Sequence, residues 1–177
     1  MKFDIARQPL IPAFMTLFAL AVAAMCAGIP VSDTSGAVRD ALPLLGGQLA
    51  RFQAAYPVWS KFAAGFMLLF TGMCAGRITI RYNLYTVGTC LPIPLYAIVA
   101  CGIATGGNYL AGFAASMLLA LATKNYCRAF CNGYGFDAIF RASLYLGLMP
   151  LIYAPALPLL LLLPLAVLLF RRTFREV

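Results

Sequence analysis

Histidine is absent from the sequence. That removes imidazole acid–base catalysis, histidine-ligated haem and histidine-containing zinc sites from the chemistry this chain can perform. Carboxylates are scarce: Asp4, Asp33, Asp40, Asp137 and Glu176 are the whole acidic inventory, against 13 Lys and Arg. Charged residues of both signs make up only 10% of the chain, where a soluble domain carries roughly 25%. The basic residues form no tract interleaved with aromatics, so nothing resembles a nucleic-acid-reading element.

What is present is apolar. Hydrophobic residues account for 63% of the 177 positions, and the mean hydropathy is +0.91. Such a composition calls for a lipid solvent rather than water. The stretch LYLGLMPLIYAPALPLLLLLPLAVLLF, Leu144–Phe170, is uncharged throughout and is followed by Arg171, Arg172 and Arg175. An apolar run closed by arginines is the pattern of a membrane segment whose end is held at a headgroup surface.

Six spans follow from the hydropathy pattern, at approximately 10–29, 58–76, 87–105, 109–123, 139–154 and 156–170. The expected fold class is all-α, a polytopic transmembrane helical bundle. The first run is longer than a usual signal-peptide core, and Met25 before Cys26 fits a lipoprotein cleavage box poorly, so an uncleaved first helix is expected. Pro92 and Pro94 are expected to kink the third span, and Pro155 to break the chain into a hairpin near Tyr153. The segment 31–56 is the one sizeable polar stretch. Val38, Leu42, Leu45, Leu49 and Phe52 recur in it at helical spacing, which predicts an amphipathic outer loop bent by Pro43 and Gly46-Gly47.

The distribution of charge orients the spans. With the N-terminus inside, Lys2, Arg7, Arg77, Arg81, Lys124, Arg128, Arg141, Arg171, Arg172 and Arg175 fall on the cytoplasmic side, and only Arg39, Arg51 and Lys61 fall outside. Ten against three accounts for all 13 cations and obeys the positive-inside rule. A single helix over Leu144–Phe170 would spoil that asymmetry, so both termini are expected in the cytoplasm. Tyr56, Trp59, Tyr109 and Tyr153 then sit at the outer boundary, with Tyr82, Tyr85, Tyr126 and Tyr134 at the inner one.

From Arg77 onward the sequence resembles a family of uncharacterised polytopic inner-membrane proteins of the Bacteroidetes. The resemblance rests on Arg81-Tyr82-Asn83-Leu84 with Leu91-Pro92, on Ile139-Phe140 with Leu146-Gly147-Leu148, on Tyr153-Ala154-Pro155, and on Arg172-Thr173-Phe174-Arg175-Glu176. It implies a Gram-negative inner-membrane location and carries no chemistry. Arg141 stands where the family tends to have Asp, and members continue into further helices beyond the final Arg-Glu.

Few residues offer a site. Asp33, Arg39 and Asp40 lie together on the outer loop, where a carboxylate base and a phosphate clamp would act on a lipid-linked substrate. Helix capping by Asp33 and solvation of Asp40 are the favoured account, because no paired-carboxylate motif or metal-ligand spacing supports the sharper one. Asp137 and Arg141 share a helical face and are placed to pair. With Arg128 and Lys124 they form either an interfacial ion pair or a cytoplasmic headgroup or anion site. Cys74, Cys90, Cys127 and Cys131 cluster near the inner interface at spacings that match no metal motif, so no metal or cofactor is expected. Gly72-x-x-x-Gly76 and Gly102-x-x-x-Gly106 are expected to pack helices closely, inside the chain or against another subunit. The expected function is a non-catalytic subunit of an envelope assembly, its partners the bilayer and other membrane subunits or a second copy of itself. The alternative is an enzyme or carrier for a lipid-linked substrate.

Overall fold

A computed structural model describes residues 10–26, 44–82, 90–104, 108–131 and 135–169. These are almost entirely helical, with no strand among the described residues. The order is α1 (Leu10–Cys26), α2 (Leu44–Ala55), α3 (Pro57–Arg81), α4 (Pro92–Ala104), α5 (Tyr109–Cys131) and α6 (Phe136–Ile152), then a 3₁₀ helix (Ala154–Leu161) and α7 (Leu162–Leu169).

Proline sets most of the boundaries. Tyr56 precedes Pro57, whose ring excludes helical geometry at the residue before it, and Tyr56 accordingly sits at φ −131°, ψ 71° between α2 and α3. Pro92 opens α4 at a position where a missing N–H costs nothing, and Pro94 lies in the same first turn. These two prolines therefore start a helix and do not kink one. Pro43 likewise precedes α2, and Gly46-Gly47 are accommodated in its first turn. Pro155 and Pro158 each lack an amide donor, and the chain after Tyr153 winds as an unusually long 3₁₀ helix.

Helix α5 is the centre of the bundle. Its N-terminal half (Tyr109, Leu110, Phe113) joins a core with Ala13, Leu17 and Ala21 of α1, Ala64 and Leu68 of α3, and Ile93 and Ala97 of α4. Further along, Ala115 and Ala122 join a second core with Leu146 and Met149 of α6 and Ala156 of the 3₁₀ helix. Buried alanines, among them Ala13 and Ala21 on α1, Ala97 and Ala100 on α4 and Ala115 and Ala122 on α5, let these backbones approach closely, and the large side chains Phe113, Leu17, Leu68 and Ile93 fill what remains.

Several expected boundaries move. Helix α3 continues past Gly76 to Arg81, and α5 continues past Thr123 to Cys131. Among the described residues one helix, Pro57–Arg81, is long and apolar enough to cross a membrane. Leu10–Ala23 and Ala154–Leu165 are shorter apolar stretches. Helix α5 is 23 residues long, but Lys124, Asn125 and Arg128 make its last turns polar. The stripe read in 31–56 also changes: of its members in α2, Leu49 packs on the core while Leu45 and Phe52 point outward.

Candidate functional site

Three helices bring charged residues to one end of the bundle, each as an i, i+4 pair on a single face: the cations Arg77 and Arg81 on α3, the cations Lys124 and Arg128 on α5, and the ion pair Asp137 and Arg141 on α6. Arg81 and Arg128 lie in the last turns of their helices, where a cation complements the exposed carbonyls. Asp137 lies in the first turn of α6, where a carboxylate is favoured for the converse reason. Arg141 Nε donates to Asp137 Oδ1 at 3.0 Å. Both side chains are more than half exposed, so the pair contributes about 0–1 kcal/mol.

The helix ends enclose a cavity of about 350 Å³ lined by Arg81, Tyr82, Lys124, Asn125, Arg128, Arg141 and Tyr145, with Leu121 at its floor. Spacing on α5 explains the lining: residues 121, 124, 125 and 128 fall on one helical stripe. Asp137 is the sole carboxylate among the described residues, and it is not in the cavity wall. Five cations (Arg77, Arg81, Lys124, Arg128 and Arg141) less one carboxylate leave a net charge of +4 at this end. The wall is thus rich in donors (three guanidinium groups, an ammonium, two phenols and an amide) and offers no ionised acceptor.

A second cavity, about 640 Å³, opens on the other side of Arg81, Tyr82 and Lys124. It runs between α1, α3 and α4 and is mostly apolar, walled by Leu10, Phe70, Met73, Ile78, Ile80 and Ile93, with Arg77 at the rim. A third, about 680 Å³, lies at the opposite end between α4, α5, α6 and the 3₁₀ helix. Its polar lining is sparse, chiefly Asn108, Ser116 and Tyr153, and Ser116 is already engaged with the Phe113 carbonyl at 2.8 Å and the Tyr96 hydroxyl at 3.2 Å. No nucleophile–base pair lines it.

The other candidate residues fall elsewhere or apart. Asp33, Arg39, Asp40, Gly106, Tyr85 and Tyr134 lie outside the described residues, and so does the Cys131 side chain. Cys90 is buried while Cys74 and Cys127 are half-buried, and among the described residues no three His, Cys, Asp or Glu side chains come together as metal ligands. Gly72 and Gly76 are buried inside the bundle. A Cβ on Gly72 would meet Leu17 at 2.7 Å and Tyr96 at 3.3 Å, and one on Gly76 would meet Ile93 at 2.5 Å. This face is therefore spent within the chain, against α1 and α4, and is not available to another subunit. Gly102 is exposed and has open space around its Cβ position.

Two polar contacts at the other end escaped the sequence. Gln53 of α2 is buried, and its Oε1 accepts the Leu110 N–H at 3.4 Å, one of the amides that the first turn of α5 leaves unpaired. Ser60 of α3 bonds Tyr109 of α5 at 2.6 Å. Tyr109, expected to be an interfacial anchor, is instead 7% exposed. Only their apolar surroundings marked these polar residues, and that signal does not name a partner.

No protein-family model, curated protein or solved structure matches the chain. The class of molecule is defined by its own geometry: a helical bundle with a donor-rich basic cavity at one end and an apolar groove beside it.

Proposed function

We propose that the chain is a multi-pass membrane protein of the bacterial inner membrane, with both termini in the cytoplasm, serving as a non-catalytic structural or assembly subunit of an envelope complex. One observation carries the membrane part. Large apolar side chains cover the outside of the bundle on almost every helix: Phe14 and Phe18 on α1, Phe62 and Phe66 on α3, Ile98 on α4, Phe140 on α6 and Leu161 after it. Phe14–Phe18, Phe66–Phe70 and Phe136–Phe140 stack at 6.4 Å along these outward faces. A monomer in water does not leave so continuous an apolar surface uncovered, whereas lipid covers it at no cost.

Helix direction supports repeated crossings by consecutive helices. The cavity walls group Leu10, Arg81, Ile93 and Lys124 at one end of the bundle, and Gly102, Asn108, Tyr153 and Pro155 at the other. Consecutive helices α3 to α6 thus run in alternating directions, as an up-and-down bundle in a bilayer requires. The short helices α4 and α6 reach full thickness by recruiting flanking residues or by local thinning. The Bacteroidetes resemblance supplies the envelope and inner-membrane part of the proposal. The non-catalytic part rests on the residues lining the cavities, which hold no paired carboxylates and no activated nucleophile.

Purification from a native host in mild detergent, followed by identification of co-purifying chains, tests the assignment. A membrane partner present in fixed ratio is the expected result. Release of the chain by alkaline carbonate would overturn the membrane assignment, and a homogeneous monomer with no stoichiometric partner would overturn the subunit assignment.

A further inference from the structure

We infer that the basic cavity and the adjoining apolar groove form one binding site for an anionic phospholipid of the cytoplasmic leaflet, resting on the membrane assignment above. The phosphate occupies the cavity formed by Arg81, Lys124, Arg128 and Arg141, and an acyl chain lies in the groove along Phe70, Met73, Ile80 and Ile93.

Three features point to a lipid and not merely to charges that orient the chain. Positive-inside residues need only lie near the surface, yet these come from three helices onto one concavity whose remaining polar wall, Tyr82, Tyr145 and Asn125, also supplies donors. Guanidinium groups are suited to phosphate because they present paired donors in a plane. Arg81, Tyr82 and Lys124 belong to both concavities, so a headgroup in one is continuous with a chain in the other. A free anion would use the cavity and have no need of the groove. The apolar groove alone would accept any lipid tail, and the charge next to it selects an anionic one.

The protein reconstituted in nanodiscs of phosphatidylglycerol and phosphatidylcholine, then released for native mass spectrometry, should retain phosphatidylglycerol selectively. Arg128→Gln with Arg141→Gln should lower that retention about tenfold or more, since each cation near an anionic surface contributes a several-fold factor. Arg128→Lys with Arg141→Lys should keep most of it. Arg51→Gln, an exposed cation on α2 at the other end, should leave it unchanged. Ile80→Trp, filling the groove, should also lower retention, and millimolar inorganic phosphate should not compete. Unchanged retention in the folded double Gln variant would overturn the site. Competition by phosphate, with Ile80→Trp having no effect, would reassign it to a free anion and overturn the lipid. Either failure in a protein that still resists carbonate extraction leaves the membrane assignment standing.

Discussion

The hydroxyls of Ser60 and Tyr109 lie 2.6 Å apart, buried between α3 and α5, although the two residues are 49 positions apart in the chain. Ser60 Oγ also lies 2.8 Å from the Pro57 carbonyl, which can only accept. The single serine proton goes to that carbonyl, so the Tyr109 O–H donates to Ser60. Ser60 is fully buried, which makes this the polar pin of an otherwise apolar seam.

Removing one member of the pin should cost more than removing both in sequence would suggest. Ser60→Ala strands the Tyr109 hydroxyl and should destabilise by about 1–3 kcal/mol, while Tyr109→Phe should cost about 0.5–1.5 kcal/mol. The double variant should be less destabilised than their sum. Denaturant unfolding in detergent, arranged as a double-mutant cycle, measures the coupling.

Gly72 and Gly76 are separated by one helical turn but should respond differently to alanine. Leu17 and Ile93 are both fully buried, but at Gly72 the new methyl meets Leu17 only at its terminal methyls, at 2.7 and 2.8 Å, whereas at Gly76 it meets both Cδ1 and the stiffer Cγ1 of β-branched Ile93, at 2.5 Å. Alanine gains about 1 kcal/mol of helix propensity at either site. Overpacking of about 1–3 kcal/mol should outweigh that gain at Gly76 and roughly cancel it at Gly72. Thermal melts of the two variants should show a lower midpoint for Gly76→Ala than for Gly72→Ala.

Loss of the side chain that caps α5 should loosen one end of the bundle. Gln53→Leu leaves the Leu110 N–H without its acceptor and should cost about 1 kcal/mol. Amide exchange should accelerate in the first turn of α5 and stay unchanged near Lys124.

The exposed ion pair on α6 should matter for charge and not for stability. Asp137→Asn should shift unfolding by less than about 1 kcal/mol. It also frees Arg141 toward the cavity and raises the local charge from +4 to +5. Retention of phosphatidylglycerol should therefore increase several-fold, and a decrease would show that Asp137 positions Arg141 for the lipid.

Opposite labelling of the two ends tests the orientation. In a background with the six cysteines replaced, Trp59→Cys should react with an impermeant maleimide from outside intact cells, and Asp137→Cys only after permeabilisation. Both native side chains are well exposed, so reactivity reports sidedness and not burial. Equal labelling from outside would refute the alternating arrangement.

Much of this was legible without coordinates, for reasons that differ by residue. The i, i+4 spacing of Asp137 and Arg141 sufficed to bring them together once that segment was helical, because the contact is local. Gly72 and Gly76 were legible as a packing face, but which helix they meet was not, since a small residue records closeness without recording its neighbour. Pro92 and Pro94 were misread as a kink because a proline inside a helix and one opening it differ only in where the helix starts. The apolar stripe of 31–56 misled in another way. Helical spacing of apolar residues does not say which face meets the core, and here Leu45 and Phe52 point outward while Gln53 is buried.

Sequence alone determined the helical class and predicted a lipid solvent and a clustering of cations. These are summed properties: too little charge for water, apolar runs of span length, and basic residues between them. Tertiary structure alone decided that Arg81, Lys124, Arg128 and Arg141 share one cavity, that an apolar groove joins it at Tyr82, and that Ser60 meets Tyr109. Each of these depends on the rotation and depth at which one helix faces another. Small differences in packing among Ala, Gly and Leu side chains set those quantities, and they become defined only when all the helices are packed together.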